Sequence, residues 1–434
     1  MASAHPENRP ENMAETKPRK RTRGRGKFKG PWPTDALGID RGDTFELSLE
    51  AMNARGELWA EYEGFQILVE GGIPGESVTV EVLRRFPEHF GVRVVEVADA
   101  SSDRVEPECP YAAGCTGCQW QHVSYERQLQ FKRDMVTNAL ASEESVKDAS
   151  VLPTLAAPEQ LGYRNHARFS VGRKYGEVGY VNAITRSLVP VERCLLMHDS
   201  INEVLASTQK RVKGMTQFSV RVGVETGDRL VQPQLHDDGG ESLGIESGGQ
   251  HLRESMLGRE FRIAGSSFFQ VNTHQAERMV EMVRDRLGLS GKEVLIDAYA
   301  GVGVFAVLLA PYAEKVYAIE DSASAVEDGK RNAEGLDNVE MILGRSEVVL
   351  SEFDSHVDAV ILDPSRKGCH PDVIEAVGRL APDRVVLVSC DVESMARDLA
   401  ALVDGPFVLE EIQPVDMFPQ TRHIENVSFL RYEA

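Results

Sequence analysis

Between residue 275 and the end of the chain, short all-apolar runs alternate with amphipathic segments, and this pattern restricts the fold more tightly than any other feature. Met279, Val280, Val283 and Leu287 fall on one helical face. Val294-Leu-Ile296, Val316 to Ile319, Val357 to Leu362 and Val385 to Val388 are too short for helices and too uniformly apolar for strands with one wet face. Strands buried on both faces and separated by helices imply a doubly wound α/β domain with a parallel sheet. In such a sheet the carboxyl ends of the strands share one edge, so residues far apart in sequence are expected to meet there.

Four of those strand ends carry chemistry-bearing residues. They are Asp297-Ala-Tyr-Ala-Gly-Val-Gly303, Glu320-Asp321, Asp363-Pro-Ser-Arg-Lys-Gly368 and Ser389-Cys390-Asp391. The Gly-x-Gly turn allows backbone to approach a ligand closely, and Glu320, 23 residues past Asp297, is placed to accept from ribose hydroxyls. A dinucleotide fingerprint requires a third glycine where this chain has Ala306. NAD or a simple tight turn stays open, but S-adenosylmethionine, which has no pyrophosphate to cradle, suits the turn better.

A cysteine ending an apolar strand is most often a small buried hydrophobe. Cys390 is set apart by its predicted place on the ligand edge and by the downstream segment Phe418-Pro-Gln-Thr-Arg-His-Ile-Glu425, which ends in a potential base. A thiolate nucleophile with a carboxylate base is what methylation of a pyrimidine at C5 requires, because that carbon becomes nucleophilic only after addition at C6.

The remaining sequence divides further. At 434 residues the chain calls for two or three domains, and no apolar stretch reaches membrane-spanning length, so a cytoplasmic protein is expected. Met1 to Gly30 holds nine Lys and Arg against three Glu, a net of +6, which leaves −26 on the rest of a chain of net charge −20. So acidic a body repels phosphate backbones at long range, and nucleic-acid binding would have to come from local basic patches or from the arm Lys17–Lys29. A solvated tail is the plain alternative. From about Gly38 to Val97, period-two valines at 78, 80 and 82 and Gly-rich turns predict a small antiparallel barrel. A helix over Tyr125–Leu140 and a second β-rich module between Tyr163 and Ile263 follow. Cys109, Cys115 and Cys118, in a C-x5-C-x2-C array, together with the isolated Cys194 make a four-thiolate set able to hold zinc or an iron–sulfur cluster; zinc sites favour paired short spacings, of which there is one.

Taken together, Ser267-Phe-Phe-Gln-Val-Asn272, Asp297 to Gly303, Asp363 to Gly368, Val388-Ser-Cys-Asp391 and Thr421-Arg-His-Ile-Glu425 resemble the motifs of the RNA uracil-5-methyltransferase family, in order, from about residue 38 to the end. The resemblance implies a basic tail over 1–33, a barrel like a TRAM module over 34–100, a central domain with the cysteine site over 101–265, and a Rossmann-like S-adenosylmethionine-dependent methyltransferase domain over 266–434. It implies Cys390 as nucleophile and Glu425 as proton acceptor. Gln270, Tyr299, Glu320 and Asp363 are implied to bind S-adenosylmethionine, and Cys109, Cys115, Cys118 and Cys194 to hold a [4Fe-4S] cluster in preference to zinc. Transfer or large-subunit ribosomal RNA is the implied substrate, served by a monomer. Competing expectations are an RNA cytosine-5-methyltransferase that recruits Cys369, and a non-catalytic RNA-binding factor. One departure from the family bears on the base: Asp391 follows the nucleophile where Asn is common, and a carboxylate facing the substrate accepts hydrogen bonds but donates none, which would favour cytosine.

Overall fold

A computed structural model describes residues 32–433; the basic arm Lys17–Lys29 lies outside the described residues. The first unit is a five-stranded sheet of β1 (Thr44–Ser48), β2 (Leu58–Tyr62), β3 (Phe65–Glu70), β4 (Ser77–Arg85) and β5 (His89–Asp99), in the order β1-β4-β5-β3-β2. Val78, Val80 and Val82 all point into its core, as their period-two spacing dictates. The sheet is not wholly antiparallel. After β3 the chain crosses to the far side to form β4, and the β4–β5 hairpin returns β5 into the gap beside β3, to which it runs parallel.

Helix α1 (Tyr125–Leu140) follows the cysteine segment. A second sheet, β10-β9-β6-β7-β8, combines β6 (His166–Val171), β7 (Val178–Val181), β8 (Leu188–Pro190), β9 (Gln217–Val222) and β10 (Arg229–Gln232), with α2 (Asp199–Thr208) packed on it. A hairpin of β11 (His251–Met256) and β12 (Arg259–Ala264) leads into the last unit.

That unit opens with α3 (Thr273–Leu287) and alternates thereafter: β13 (Val294–Ala298), α4 (Val304–Leu309), β14 (Lys315–Glu320), α5 (Ala323–Asn332), β15 (Val339–Leu343), α6 (Ser346–Glu352), β16 (Ala359–Leu362), α7 (Pro371–Leu380), β17 (Arg384–Ser389), α8 (Val392–Val403), β18 (Phe407–Val415) and β19 (Glu425–Tyr432). The sheet order is β15-β14-β13-β16-β17-β19-β18. Six of the seven strands point the same way, and β19 alone runs antiparallel, between β17 and β18. Chain direction across the sheet reverses between β13 and β16, which opens a crevice at their carboxyl ends.

Apolar layers cover both faces of this sheet. In one of them α1 contributes Phe131, Met135, Val136 and Leu140 beside Met395 and Leu399 of α8, so a helix from the first third of the chain is built into the C-terminal core. Val151 and Leu155 extend the contact by bridging to Ile412 and Val415 of β18. Among the described residues no helix is long and apolar enough to cross a membrane.

Candidate active site

The carboxyl edge of the sheet gathers the residues that the sequence scattered. Asp297 lies near the end of β13, Glu320 ends β14, Asp363 directly follows β16 and Cys390 directly follows β17. All four strands are parallel, which puts these residues on one side of the sheet.

A narrow cavity of ≈40 Å³ opens between β13, β16 and α3, walled by Phe269, Gln270, Asp297, Tyr299, Gly301 and Asp363 among others. This is the inner end of a cleft and not a complete nucleoside pocket, which typically runs to several hundred Å³. Phe268 stands on its rim with its ring 68% exposed. Gln270 is buried, and its carbonyl accepts from Asn165 Nδ2 at 2.9 Å. The turn after β13 is held open by backbone in the left-handed region, at Gly301 and Gly303 and also at Tyr299 with φ 66°, which is costly for a non-glycine residue. Glu320 lies outside the cavity wall and fixes this turn, its carboxylate accepting from Gly301 N and Ser322 N, each at 2.8 Å.

The electrostatics of this cleft favour a cation. Asp297 accepts from Ala306 N through Oδ2, but its buried Oδ1 has no partner. Burial pushes its carboxyl up to about 8 and that of Asp363 up to about 7, and burial with repulsion from Asp321 raises Glu320 as well. Three carboxyls crowded at one edge, each with its proton affinity raised, make a site that a positive ligand stabilises. A sulfonium with its amino group supplies that charge, so the residues present fit S-adenosylmethionine; its linkage, free of pyrophosphate, also agrees with the missing third glycine.

Beyond Asp363 the antiparallel register of β17 and β19 decides the geometry. Ser389 pairs with Asn426, so Cys390, one step on, faces Glu425, one step back, across the strand ends. Directly opposed residues in such a ladder have Cα atoms about 4.5–5.5 Å apart and side chains on the same face. Cys390 is half-buried and Glu425 buried. Burial, with the nearby Glu425 charge, pushes the Cys390 thiol up to about 11, and burial together with Asp363 holds Glu425 well above the usual carboxylate range. Arg366, from the turn after β16, opposes both shifts through its nearby positive charge. Its role was not legible in the sequence; its position three residues past Asp363, on the loop facing Cys390, was the available signal.

Several cations gather near this pair although the chain is acidic, Lys132 paired with Asp416 and Arg422 with Glu57. Burial and the charges of Arg366, Arg164, Arg422 and Lys132 push His423 down to about 4, so it stays neutral among cations. Arg164 also lies over the rings of Tyr163 and Phe418. Asp391 caps α8, its Oδ1 accepting from Ser394 N at 3.0 Å. Asp and Asn cap equally well, which accounts for a carboxylate at this place. Cys369 is buried in the apolar layer, its N–H donating to Asp398 Oδ2 at 2.7 Å, and is a packing residue.

Cys109, Cys115, Cys118 and Cys194 line a common cavity of ≈130 Å³ with Tyr111 and Tyr180. All four are free thiols, and among the described residues no group of three or more His, Cys, Asp or Glu stands in the arrangement of a metal-ion site. The cavity is roughly ten times the volume that one water-sized probe fills. Its orphaned Tyr180 hydroxyl and its four convergent thiols fit a larger polynuclear group better than one ion. Trp120, next to the trio, is buried against Phe131 and does not face a ligand.

A family profile described as tRNA (Uracil-5-)-methyltransferase matches residues 250–433. An uncharacterized RNA methyltransferase of Thermosynechococcus vestitus is 32% identical over 441 residues, spanning 90% of this chain and 98% of its own. Another from Oceanobacillus iheyensis is 32% identical over 449 residues, covering 90% and 97%. The crystal structure of Pyrococcus abyssi tRNA (uracil-54, C5)-methyltransferase in complex with S-adenosyl-L-homocysteine superposes with a TM-score of 0.69 at 24% identity, over 89% of this chain and 100% of that one. That likeness is one of fold.

Proposed function

The chain belongs to the RNA (uracil-5-)-methyltransferase family and is an S-adenosylmethionine-dependent RNA methyltransferase, and from that premise we propose that it methylates C5 of a uridine through a covalent adduct on Cys390. The observation that supports this most is the β17–β19 register, whose last pair, Ser389 and Asn426, brings the neighbouring Cys390 and Glu425 together at the ligand edge, with the Arg366 charge nearby. Cys390 Sγ, as the thiolate that forms by loss of its proton to solvent and is favoured by the Arg366 charge, bonds to C6 of the base, and the electron pair of the C5–C6 double bond moves onto the C4 carbonyl as an enolate. S-adenosylmethionine, bound by Gln270, Tyr299, Glu320 and Asp363, supplies an electrophilic methyl group. C5 would take that methyl as its bond to the sulfonium breaks and a neutral thioether leaves; Glu425 takes the C5 proton, and the C6–S bond breaks to return the thiolate. The target must leave its stack to reach Cys390, and Arg164, Arg366 and Arg422 offer its phosphates a local cationic rim.

The substrate we propose is structured RNA, with large-subunit ribosomal RNA favoured over transfer RNA, acted on in the cytoplasm by a monomer. The deciding experiment incubates unmodified transcripts of both kinds with the enzyme and S-adenosylmethionine, then identifies the modified nucleoside by mass spectrometry. We expect 5-methyluridine; 5-methylcytidine as the product would overturn the reading. Because Asp391 caps α8, the Asp391→Asn variant should keep the same base preference and change stability by less than about 1 kcal/mol, as read from thermal unfolding. A switch of base on this substitution would place the side chain against the substrate.

In the same reading the four cysteines hold a [4Fe-4S] cluster. Methyl transfer as written balances without electron transfer, so the cluster's part is to tie the segment around Cys118 to that around Cys194. The domain limits we propose are 34–100 for a TRAM-like module, 101–265 for the cysteine-bearing centre and 266–434 for the methyltransferase unit.

A further inference from the structure

The loop between β18 and β19, residues 416–424, delivers Glu425 to Cys390, and its own backbone is not a relaxed one. Gln420 sits at φ 67°, in the left-handed region that a residue with a Cβ adopts only when its surroundings impose it. Those surroundings are largely one face of α1. Gln128 and Lys132 lie one helical turn apart and are both wholly buried. Gln128 meets Gln420 twice: its Oε1 accepts from Gln420 N at 2.9 Å and its Nε2 donates to Gln420 Oε1 at 2.9 Å. The same Nε2 lies within hydrogen-bond distance of the Trp120 and Val123 carbonyls, which fixes the amide's orientation.

One turn on, Lys132 Nζ meets Asp416 Oδ1 at 2.5 Å and donates to the Phe418 carbonyl at 3.1 Å. Asp416 in turn accepts from Tyr125 OH at 2.9 Å and from Phe418 N at 3.2 Å. Both ends of the loop's first half are therefore gripped from α1. A buried lysine and a buried glutamine are costly choices for a helix that otherwise packs apolar residues, and a structural contact alone would be met by leucine or methionine.

We propose that Gln128 and Lys132 are positioning residues for the base: acting through Gln420 and Asp416, they hold the 416–424 loop in the strained conformation that sets Glu425 opposite Cys390. This rests on the reading of Glu425 as proton acceptor. It separates two stages of the reaction, since thiol addition and methyl transfer need Cys390 and the cofactor cleft, whereas release needs Glu425 in place.

The test follows the SDS-stable enzyme–RNA adduct and product release in parallel, using the full-length holoenzyme, radiolabelled substrate RNA and S-adenosylmethionine, with Glu425→Gln as reference. In Gln128→Met, a change close to isosteric, we expect adduct formation within about threefold of wild type and release slowed by roughly tenfold to a hundredfold, the size of effect that misplacing a catalytic group by an ångström produces. Adduct should accumulate while the KM for S-adenosylmethionine stays put. The double variant Lys132→Met/Asp416→Leu removes the buried charge pair as a unit and should show the same accumulation, so the proposal stays testable should Gln128→Met fail to fold. Turnover equal to wild type, or adduct formation and release falling together in proportion to the folded fraction, would overturn it. Accumulation in Glu425→Gln without accumulation in either α1 variant rejects the positioning role alone; no accumulation in Glu425→Gln rejects the assignment of the base.

Discussion

Cys390→Ala is expected to abolish methyl transfer and with it every covalent enzyme–RNA complex, including the one trapped by RNA carrying 5-fluorouridine at the target. Fluorine at C5 leaves no proton to abstract, so a genuine nucleophile stays bonded to C6 after methylation. The expected loss in kcat is at least ~10⁴-fold, since removing a covalent nucleophile leaves only binding and electrostatic contributions. Alanine at a half-buried strand end costs little packing, so the variant should bind RNA and S-adenosylmethionine as wild type does. Retained turnover would sink the nucleophile assignment. The wild-type rate carries a related signature: the thiol is held up to about 11, chiefly by burial and then by Glu425, so the reactive thiolate becomes more abundant as pH rises. In the near-neutral range activity should climb with pH, and Arg366→Gln, which removes the positive charge that favours the thiolate, should shift that climb to higher pH.

The sheet and its edge were legible because they rest on local pattern and one topological rule. Short apolar runs such as Val385 to Val388 have no soluble reading other than a buried parallel strand, and parallel strands put Asp297, Glu320, Asp363 and Cys390 on a common side. What escaped was whatever depends on side-chain direction or on a partner far away in sequence. Nothing in the sequence marked Gln128 and Lys132 of α1, yet both are wholly buried. No periodicity reveals a buried lysine whose counter-ion, Asp416, lies 284 residues away. Asp391 misled in the opposite sense, because a residue beside a nucleophile invites a catalytic reading while the residue before a helix invites a capping one; Ser394, three positions on, shows that capping won. The small N-terminal sheet was foreseen from its valine alternation, but alternation is blind to strand direction, and the parallel β3–β5 pairing came from the crossover after β3.

Glu425→Gln should convert the enzyme from a turnover catalyst into one that stalls on its product. Glutamine preserves the volume and the hydrogen-bonding outline of a side chain only 5% exposed, so the opposed strand ends and the adduct-forming groups stay where they are. It cannot take the C5 proton. Addition at C6 and methylation at C5 then proceed, but the C6–S bond has no route to break, and a methylated adduct accumulates that carries label from both RNA and S-adenosylmethionine. Loss of a general base commonly costs ~10²–10⁴-fold, which is the fall expected in kcat, against a much smaller change in the rate of adduct formation. The raised proton affinity of Glu425 works in favour of this role: burial and the neighbouring Asp363 make its carboxylate a stronger base than a free glutamate. Below its folded-state pKa it stays protonated and cannot take the C5 proton, so release from preformed wild-type adduct should slow as the pH falls. Adduct lacking the methyl label would show that Glu425 acts before methyl transfer, and unimpaired release would show that another group takes the proton.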